Sequence, residues 1–377
     1  MKKISTILII ALMFFGCAKK EEKELNVEQF DITNATNIKY IEEIKHNKLD
    51  DKYGVINKNF EISKSNDNCS SFNQVGNLEG DNKYFINEVY QNGKAAYKID
   101  VFLKKGKQCN KVTTINDVNE QRNGIKYSKD AIYFDVNESP EGIIKVEGDN
   151  VSKIKTGANG SAIVYDVVFE TGEIYAIDDL GDPDQIEESK NKILKHFDNN
   201  GKLIEEASLK ELPYNDLYTT KDGLSLIETD VKDDNDGIKG NYIIDAYPYN
   251  KVFKDMNTRT ANKLILNNIN EEQAEIEKKL DYILFKGENT TICDLEFSKC
   301  TTYPDAYLLN KEYALISKIE DDGNDKIYLN KLGTKDIELI LNQNNFSASL
   351  EYKKLNLKVF SGEDYENIGQ LIRYNLK

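Results

Sequence analysis

Short runs of apolar and β-branched residues, separated by turn residues, recur along almost the whole chain. Most runs are too short for helices, and apolar residues at short-strand spacing are typical of β-strands. The connections carry turn-forming pairs such as Asn200-Gly201 and Asp222-Gly223. This pattern predicts an all-β protein. Representative runs are residues 131–136, 193–197, 203–207, 224–229 and 242–247.

The clearest local signal is Asn92-Gly93, which separates the β-rich residues 84–90 from residues 95–103. Asn-Gly between two such runs is a strong hairpin signal, because both turn residues must accept a positive φ. Residues 193–207 form a second unit of the same kind. A succession of hairpins predicts antiparallel sheets.

Two architectures accommodate about twenty short antiparallel strands. A β-propeller uses four-stranded blades of about 40–50 residues, which predicts roughly six to eight blades here. The alternative is one large curved antiparallel sheet, in the form of an open barrel or sandwich. We favour the β-propeller-like fold, because it accommodates many weakly apolar strands without leaving long sheet edges exposed. An alternative domain division makes residues 38–120 a separate structural unit.

Two segments predict helices within this β-rich pattern. Asp182-Pro183 is suited to begin a helix that continues to Lys192, since Pro is tolerated at the first helical position. The segment Asn270-Glu271-Glu272-Gln273 matches a capping box and predicts a helix through Lys279. The second helix has few apolar residues, so we expect it on the surface.

The first 25 residues have the layout of an export signal. Lys2 and Lys3 precede an apolar run at residues 4–15, which is too short to cross a hydrocarbon core that needs about 20 residues. Phe14-Phe15-Gly16-Cys17, followed by polar residues, resembles the lipobox of bacterial lipoproteins, although Phe15 replaces the small or hydroxyl residue usual there. The resemblance implies cleavage before Cys17 and acylation of that cysteine, palmitate included. The alternative is an uncleaved anchor helix.

This resemblance divides the chain into a signal peptide (residues 1–16), a lipidated tether (17–37) and a β-rich body (38–377). Ala18 stands where Asp would resemble an inner-membrane retention signal, so the resemblance implies an outer-membrane anchor and leaves open which side the protein faces. The net charge of −15 disfavours binding to nucleic acid or to anionic head groups. The acyl chains are therefore expected to provide the membrane attachment.

Four cysteines remain besides Cys17, and an even number in an exported protein predicts two disulfides. Three pairings are possible. We prefer Cys69–Cys109 with Cys293–Cys300, because each closes the shorter loop. Zinc binding is the competing interpretation, but no two cysteines have metal-ligand spacing.

Residues suited to catalysis are few. The chain has two histidines, His46 and His196, and no Gly-x-Ser-x-Gly motif, which disfavours a Ser-His-Asp triad. Acidic clusters at residues 178–184, 230–236 and 320–325 suggest calcium loops, but the two with a candidate central glycine place lysine at the first position, where an acidic residue is needed. We therefore predict no metal and no cofactor.

Asp135-Val136-Asn137-Glu138-Ser139 resembles the extended acceptor sequon of bacterial N-glycosylation. The acidic residue two positions before Asn137 carries this resemblance, which makes Asn137 a candidate glycosylation site.

These observations predict a non-enzymatic binding or scaffolding lipoprotein whose partners are other envelope proteins. Tyrosine is abundant, with 22 residues, and supplies rigid contact area with a polar tip. One alternative is a surface-exposed adhesin. The other is a hydrolase that uses paired carboxylates on a propeller.

Overall fold

The structure, a computed structural model, describes most of the chain between residues 22 and 375. Predictions that fall on other positions, among them those for Cys17, His46, the Asn92-Gly93 turn, Asn137 and residues 182–191, lie outside the described residues. The described ranges are 22–25, 27–30, 36–37, 42–45, 69, 73–75, 82–90, 97–106, 108–116, 118, 125–136, 142–156, 163–179, 192–209, 212–234, 237–269, 275–279, 281–287, 289–319, 325–335, 337–341, 346–351, 354–360 and 368–375.

Within these ranges, four short N-terminal strands precede seven sheets that follow one another in chain order. The N-terminal strands are β1 (Glu22–Glu24), β2 (Val27–Gln29), β3 (Thr36–Asn37) and β4 (Glu42–Lys45). Sheet 1 contains β5 (Asn73–Val75), β6 (Asn82–Tyr90), β7 (Tyr97–Lys105) and β8 (Gln108–Asn116). Sheet 2 contains β9 (Ile125–Tyr127), β10 (Ala131–Val136), β11 (Gly142–Glu147) and β12 (Asn150–Ile154). Sheet 3 contains β13 (Ile163–Val167), β14 (Ile174–Asp179), β15 (Lys192–Phe197) and β16 (Leu203–Ser208).

The remaining sheets continue in the same way. Sheet 4 contains β17 (Tyr214–Thr219), β18 (Gly223–Asp234), β19 (Gly237–Pro248) and β20 (Asn262–Ile269), with the single-turn helix α1 (Val252–Asp255) before β20. Sheet 5 contains β21 (Glu275–Lys279), β22 (Tyr282–Lys286), β23 (Thr290–Asp294) and β24 (Cys300–Tyr303). Sheet 6 contains β25 (Asp305–Leu308), β26 (Tyr313–Ile319), β27 (Asp325–Lys331) and β28 (Ile337–Leu341). Sheet 7 contains β29 (Phe346–Glu351), β30 (Lys354–Phe360) and β31 (Ile368–Asn375).

Each sheet packs face to face on the next one. The residues of β10 show why: Ile132 and Phe134 pack towards sheet 1, whereas Ala131 and Tyr133 pack towards sheet 3. Both faces of this strand are therefore buried, which explains its continuous apolar run. Six such cores join sheets 1 to 7 in succession.

The last sheet is completed by a strand from the other end of the chain. β4 pairs antiparallel with β31, with Lys45 opposite Gln370, and becomes the fourth strand of sheet 7. Because β4 also leads into sheet 1, the two ends of the series of sheets are linked through one strand. In the described ranges, seven sheets with four antiparallel strands each, three of them extended by a fifth, parallel strand, are stacked in chain order and form a β-propeller. This confirms the predicted fold class, and seven lies within the expected range of blades.

The other N-terminal strands lie along the outer edges of three successive sheets. β1 pairs parallel with β20, β2 with β24, and β3 with β28. We call β1 to β3 the N-terminal belt. It occupies part of the range 17–37 that the sequence suggested as a tether, because these short segments add hydrogen-bonded strands to existing edges. Leu25, between β1 and β2, is only 6% exposed and packs into the core between sheets 4 and 5.

The helix predicted for residues 270–279 is wrong, since its described residues 275–279 form β21. This strand pairs antiparallel with β22, with Lys279 opposite Tyr282. Ile276 packs against the core between sheets 4 and 5, and strand pairing outweighs the local capping-box signal. None of the helices in the described ranges is long and apolar enough to cross a membrane.

Both predicted disulfides are present. Cys69 is joined to Cys109 in β8, and Cys293 in β23 is joined to Cys300 in β24. The second pair of residues is directly opposite in the antiparallel ladder and lies in the core between sheets 4 and 5. This disulfide therefore fixes the register of β23 and β24.

We expect Leu25→Ala to lower the free energy of unfolding by about 2–3 kcal/mol, because it leaves a cavity where the belt enters the core. Urea denaturation followed by circular dichroism measures this change. Glu28→Ala is the matched control, since Glu28 is exposed on β2, and it should change stability by no more than about 0.5 kcal/mol. Equal effects of the two variants would contradict the anchoring role of Leu25.

Candidate functional site

The first strands of the sheets meet at the axis of the propeller. Lys278 of β21 in sheet 5 places its Nζ 2.6 Å from the carboxylate of Asp166 of β13 in sheet 3. Sheet 4 lies between these two sheets in the series, so a direct contact requires both first strands to be innermost. Lys278 Nζ also donates to the carbonyl oxygen of Thr219, in the first strand of sheet 4, at 3.1 Å.

We define the axial cluster as Lys126, Asp166, Asp216, Thr219 and Lys278. These residues lie on the first strands β9, β13, β17 and β21 of four successive sheets. Their charges sit in a region from which neighbouring sheets exclude most water. The cluster is therefore the polar centre of the molecule.

Asp166 is the most enclosed carboxylate of the cluster, with 1% of its surface exposed. It accepts a hydrogen bond from the backbone N–H of Thr219 at 2.7 Å, and the Thr219 hydroxyl lies 2.8 Å away. Burial opposes ionisation, but the charges of Lys278 and Lys126 outweigh it, so the pKa of Asp166 lies below its usual value of 3.8. Asp166 is thus a paired anion.

Asp216 has the opposite electrostatic character. It accepts hydrogen bonds from the backbone N–H of Leu217 at 2.7 Å and from the Tyr218 hydroxyl at 3.1 Å. Burial outweighs these bonds and the nearby charge of Lys126, and raises the pKa of Asp216 to about 6. Two carboxylates in one cluster therefore have pKa values displaced in opposite directions.

Lys126 lies between these groups and is 9% exposed. Burial lowers its pKa; the charge of Asp166 counteracts this effect, and that of Lys278 adds to it. Its Nζ is 5.7 Å from the centroid of the Tyr218 ring. The cluster thus joins two cations, two acids and a threonine within the innermost strands, and the Tyr218 ring lies beside it.

Tyr307 is the accessible aromatic residue at the axis. It lies on β25, the first strand of sheet 6, and 57% of its surface is exposed. Lys279 of β21 holds its Nζ 4.0 Å from the ring centroid, which orients the ring by a cation–π contact. Asp305, on the same strand, is also exposed. This part of the axis can contact a partner without disturbing the buried charges.

His196 does not take part in this site. It lies on β15, and its ring stacks on Tyr175 with centroids 4.2 Å apart and an interplanar angle of 7°. Burial lowers its pKa, which favours the neutral imidazole. Its Nε2 is 3.7 Å from the carboxylate of Glu173, too far for a hydrogen bond. The ring therefore behaves as a stacked aromatic group.

The acidic clusters named from the sequence lie only partly within the described residues. Asp178 is buried in β14 and forms an ion pair with Lys195. Among the residues that the structure describes, no group of three His, Cys, Asp or Glu side chains is arranged to hold a metal ion. Asp182, Asp184, Asp236 and residues 320–322 lie outside the described residues.

Sequence reasoning missed the axial cluster. Its members are scattered over more than 150 positions, and none belongs to a recognisable motif. The available signal was a charged residue inside an apolar run, as in Val164-Tyr165-Asp166-Val167-Val168. A carboxylate in such a run is buried with the strand and needs a cationic partner.

Comparison with known proteins gives only distant likenesses. No protein-family model and no curated protein matches the chain. The acylaminoacyl peptidase of Pyrococcus horikoshii is 9% identical with a TM-score of 0.44, over 81% of this chain and 52% of that chain. This chain therefore spans about half the length of that peptidase.

Two further solved structures show similar degrees of likeness. The β-propeller domain of the trilobed protease from Pyrococcus furiosus, which has an open velcro topology, is 10% identical with a TM-score of 0.43, over 80% of this chain and 95% of that one. Dipeptidyl peptidase 4 of Porphyromonas gingivalis is 9% identical with a TM-score of 0.40, over 74% and 48%. The propeller assignment rests on the sheet order and packing of this chain.

We expect Asp166→Asn to lower the free energy of unfolding by about 3–5 kcal/mol, because it leaves Lys278 and Lys126 without their anionic partner. Denaturant unfolding measures the loss. Asp222→Asn is the control, since the Asp222 side chain is 80% exposed, and its effect should stay within about 1 kcal/mol. Combining Asp166→Asn with Lys278→Met should restore part of the stability. A single-variant loss no larger than the control's would contradict the pairing.

Asp216 should make stability depend on pH. Its pKa is raised from 3.8 to about 6 in the folded state, so the folded protein holds a proton that the unfolded chain has released between these values. This contribution is complete below pH 4 and is lost as the pH rises through 6. We therefore expect Asp216→Asn to exceed the wild type in unfolding free energy by roughly 2–3 kcal/mol at neutral pH, with the difference vanishing in acid. A pH-independent difference would contradict this assignment.

Proposed function

We propose that this protein is a non-enzymatic binding module, anchored in the outer membrane through lipid on Cys17, whose exposed surface around Tyr307 contacts other envelope proteins. The observation that carries the proposal is the exposed ring of Tyr307. The ring stands on an innermost strand and is oriented by Lys279, 4.0 Å from its centroid. Exposed tyrosines held in one orientation are typical anchors of protein interfaces.

The buried charges support a structural role for the rest of the axis. The Asp166 carboxylate is occupied by Lys278 and Thr219, so it is not free to act as a nucleophile. His196 is stacked and its pKa is lowered, so it is not placed as a general base. Such groups hold the inner strands together, and binding falls to the exposed residues around them.

A hydrolase is the second candidate, favoured by the divergent pKa values of Asp166 and Asp216. Environments that displace two carboxylates in opposite directions are how acid and base roles are assigned in many enzymes. Asp216, with a pKa of about 6, would be the proton donor. Hydrolysis of chromogenic glycosides by the purified protein, abolished in Asp216→Asn, would favour this function over simple binding.

The binding proposal is tested with a photo-crosslinking amino acid placed at position 307 in living cells. We expect a discrete protein adduct, because this position faces a partner. Position 335 is the control. Lys335 is also exposed, but it lies in the turn that follows β27 and not on an innermost strand. An absence of adducts at 307, or the same adducts at both positions, would contradict the proposal.

The lipid anchor is tested separately by cell fractionation. The Cys17→Ser protein should leave the membrane fraction, and its retention there would contradict the anchor.

A further inference from the structure

Lys126 differs from the other cation of the axial cluster. Lys278 Nζ donates to the Asp166 carboxylate at 2.6 Å and to the carbonyl and hydroxyl oxygens of Thr219 at 3.1 and 3.2 Å. Lys126 forms no hydrogen bond and no ion pair with any residue that the structure describes, although it is only 9% exposed. An enclosed ammonium group without an acceptor is costly. The described residues therefore do not supply the acceptor that Lys126 needs.

Asp216 is the corresponding acid. Its carboxylate accepts hydrogen bonds from neutral groups of its own strand, and no described cation is in ion-pair contact with it. The acids around it differ in this respect. Asp166 is paired with Lys278. Glu277 is paired with Lys286. Within the described ranges, the axial cluster thus holds one cation and one acid that each lack an opposite charge in contact.

Tyr218 brings these two charges to the same place. Lys126 Nζ lies over the Tyr218 ring, 5.7 Å from its centroid, and Asp216 accepts a hydrogen bond from the hydroxyl of that ring at 3.1 Å. The ring is 2% exposed and packs into the core between sheets 4 and 5, so its position is fixed. A cation and a carboxylate are therefore held beside one rigid aromatic side chain without contacting each other.

The ammonium group of Lys126 is not sealed from solvent. Its Nζ is not among the fully buried polar atoms that lack a hydrogen-bond partner. Because this atom has no partner, it must keep some contact with solvent. Asp305 and Tyr307, on the innermost strand of sheet 6, are both exposed. A small molecule can therefore reach Lys126 from the axis.

The two charges together determine which ligand chemistry fits. A simple anion would pair with Lys126 but would leave Asp216 unpaired and would be repelled by it, and a simple cation would have the reverse fault. A zwitterion supplies a carboxylate for Lys126 and an ammonium group for Asp216, and it leaves the net charge of the cluster unchanged. Amino acids carry both groups within a few bonds of each other.

We propose that Lys126 and Asp216 form a binding site for a small zwitterion of the amino-acid class. Lys126 donates to the carboxylate of the ligand, and Asp216 accepts from its ammonium group. The paired residues Asp166 and Lys278 keep their structural role beside the site. The site is separate from the exposed surface around Tyr307, so it depends neither on a protein partner nor on a lipid anchor.

Equilibrium dialysis of the purified full-length protein against radiolabelled glycine tests this site, and we expect one glycine per chain. Lys126→Met and Asp216→Asn should each weaken binding by at least about tenfold, because each removes a charge-assisted contact. Lys221→Met and Asp222→Asn are the matched controls and should bind glycine like the wild type, since their side chains are 70% and 80% exposed. Asp216→Asn is expected to gain stability at neutral pH, so its loss of binding cannot be ascribed to unfolding.

Binding should also weaken in acid. Burial raises the pKa of Asp216 to about 6 in the free protein, and the ammonium group of the ligand pairs only with the ionised carboxylate. Binding therefore releases a proton below this pH, and the affinity for glycine should fall roughly tenfold between about pH 7 and about pH 5. The titratable groups that face the site are Lys126 of β9, Asp166 of β13, Tyr218 of β17, and Glu277 and Lys278 of β21. An affinity that does not change over this range would contradict the role of Asp216.

Competitors separate the zwitterion from its parts. Unlabelled glycine should displace the label, whereas acetate and methylammonium at the same concentration should displace little of it. Glycylglycine, whose charges lie further apart, distinguishes a peptide from a free amino acid as the ligand, and stronger displacement by it would support the site with a peptide as its occupant. Equal displacement by acetate would overturn the zwitterion site. If neither glycine nor glycylglycine binds, solvent alone satisfies Lys126 and the inference is wrong.

Discussion

The structure depends on one constraint, which is that sheets 2 to 6 are apolar on both faces. In β10, six consecutive residues are buried, and they supply two different cores. A sheet of this kind cannot stand at the surface of a two-layer sandwich, because one apolar face would remain in water. Stacking in series buries both faces of sheets 2 to 6 in contacts of the same kind. The outer edges and the inner strands need other contacts.

The inner strands are held together by charged and polar side chains. Where the first strands converge, the axial cluster replaces apolar packing with ion pairs and hydrogen bonds, and Asp166 is the acceptor that Thr219 and Lys278 share. Removing such a group from water is costly, and each partner offsets part of that cost. The Lys278 contact reaches from sheet 5 to sheet 3, so it constrains how the strands of three sheets lie around the axis.

The sequence was sufficient to predict the strands, their antiparallel order, both disulfides and the propeller. The strands and hairpins could be predicted because they depend on local patterns, such as the turn-forming pair Asn200-Gly201. The sequence was insufficient for β21, because the capping box at residues 270–273 favours a helix through Lys279, whereas the pairing with β22 that makes residues 275–279 a strand is not visible in the local sequence. The axial cluster could not be predicted for a related reason. Lys126 and Lys278 come close to Asp166 only when sheets 2 to 5 have folded and packed together. No spacing in the sequence indicates that these residues are neighbours.

The pairing of β4 with β31 in sheet 7 has a consequence for folding. β4 lies near one end of the sequence and its partner β31 lies near the other. Pairing of residues so distant in sequence is entropically costly and slow. A chain without β31 would leave β4 without its partner, and the first and the last sheets of the series would then not be joined through this strand. Completion of sheet 7 therefore requires two segments of the chain that lie far apart in the sequence.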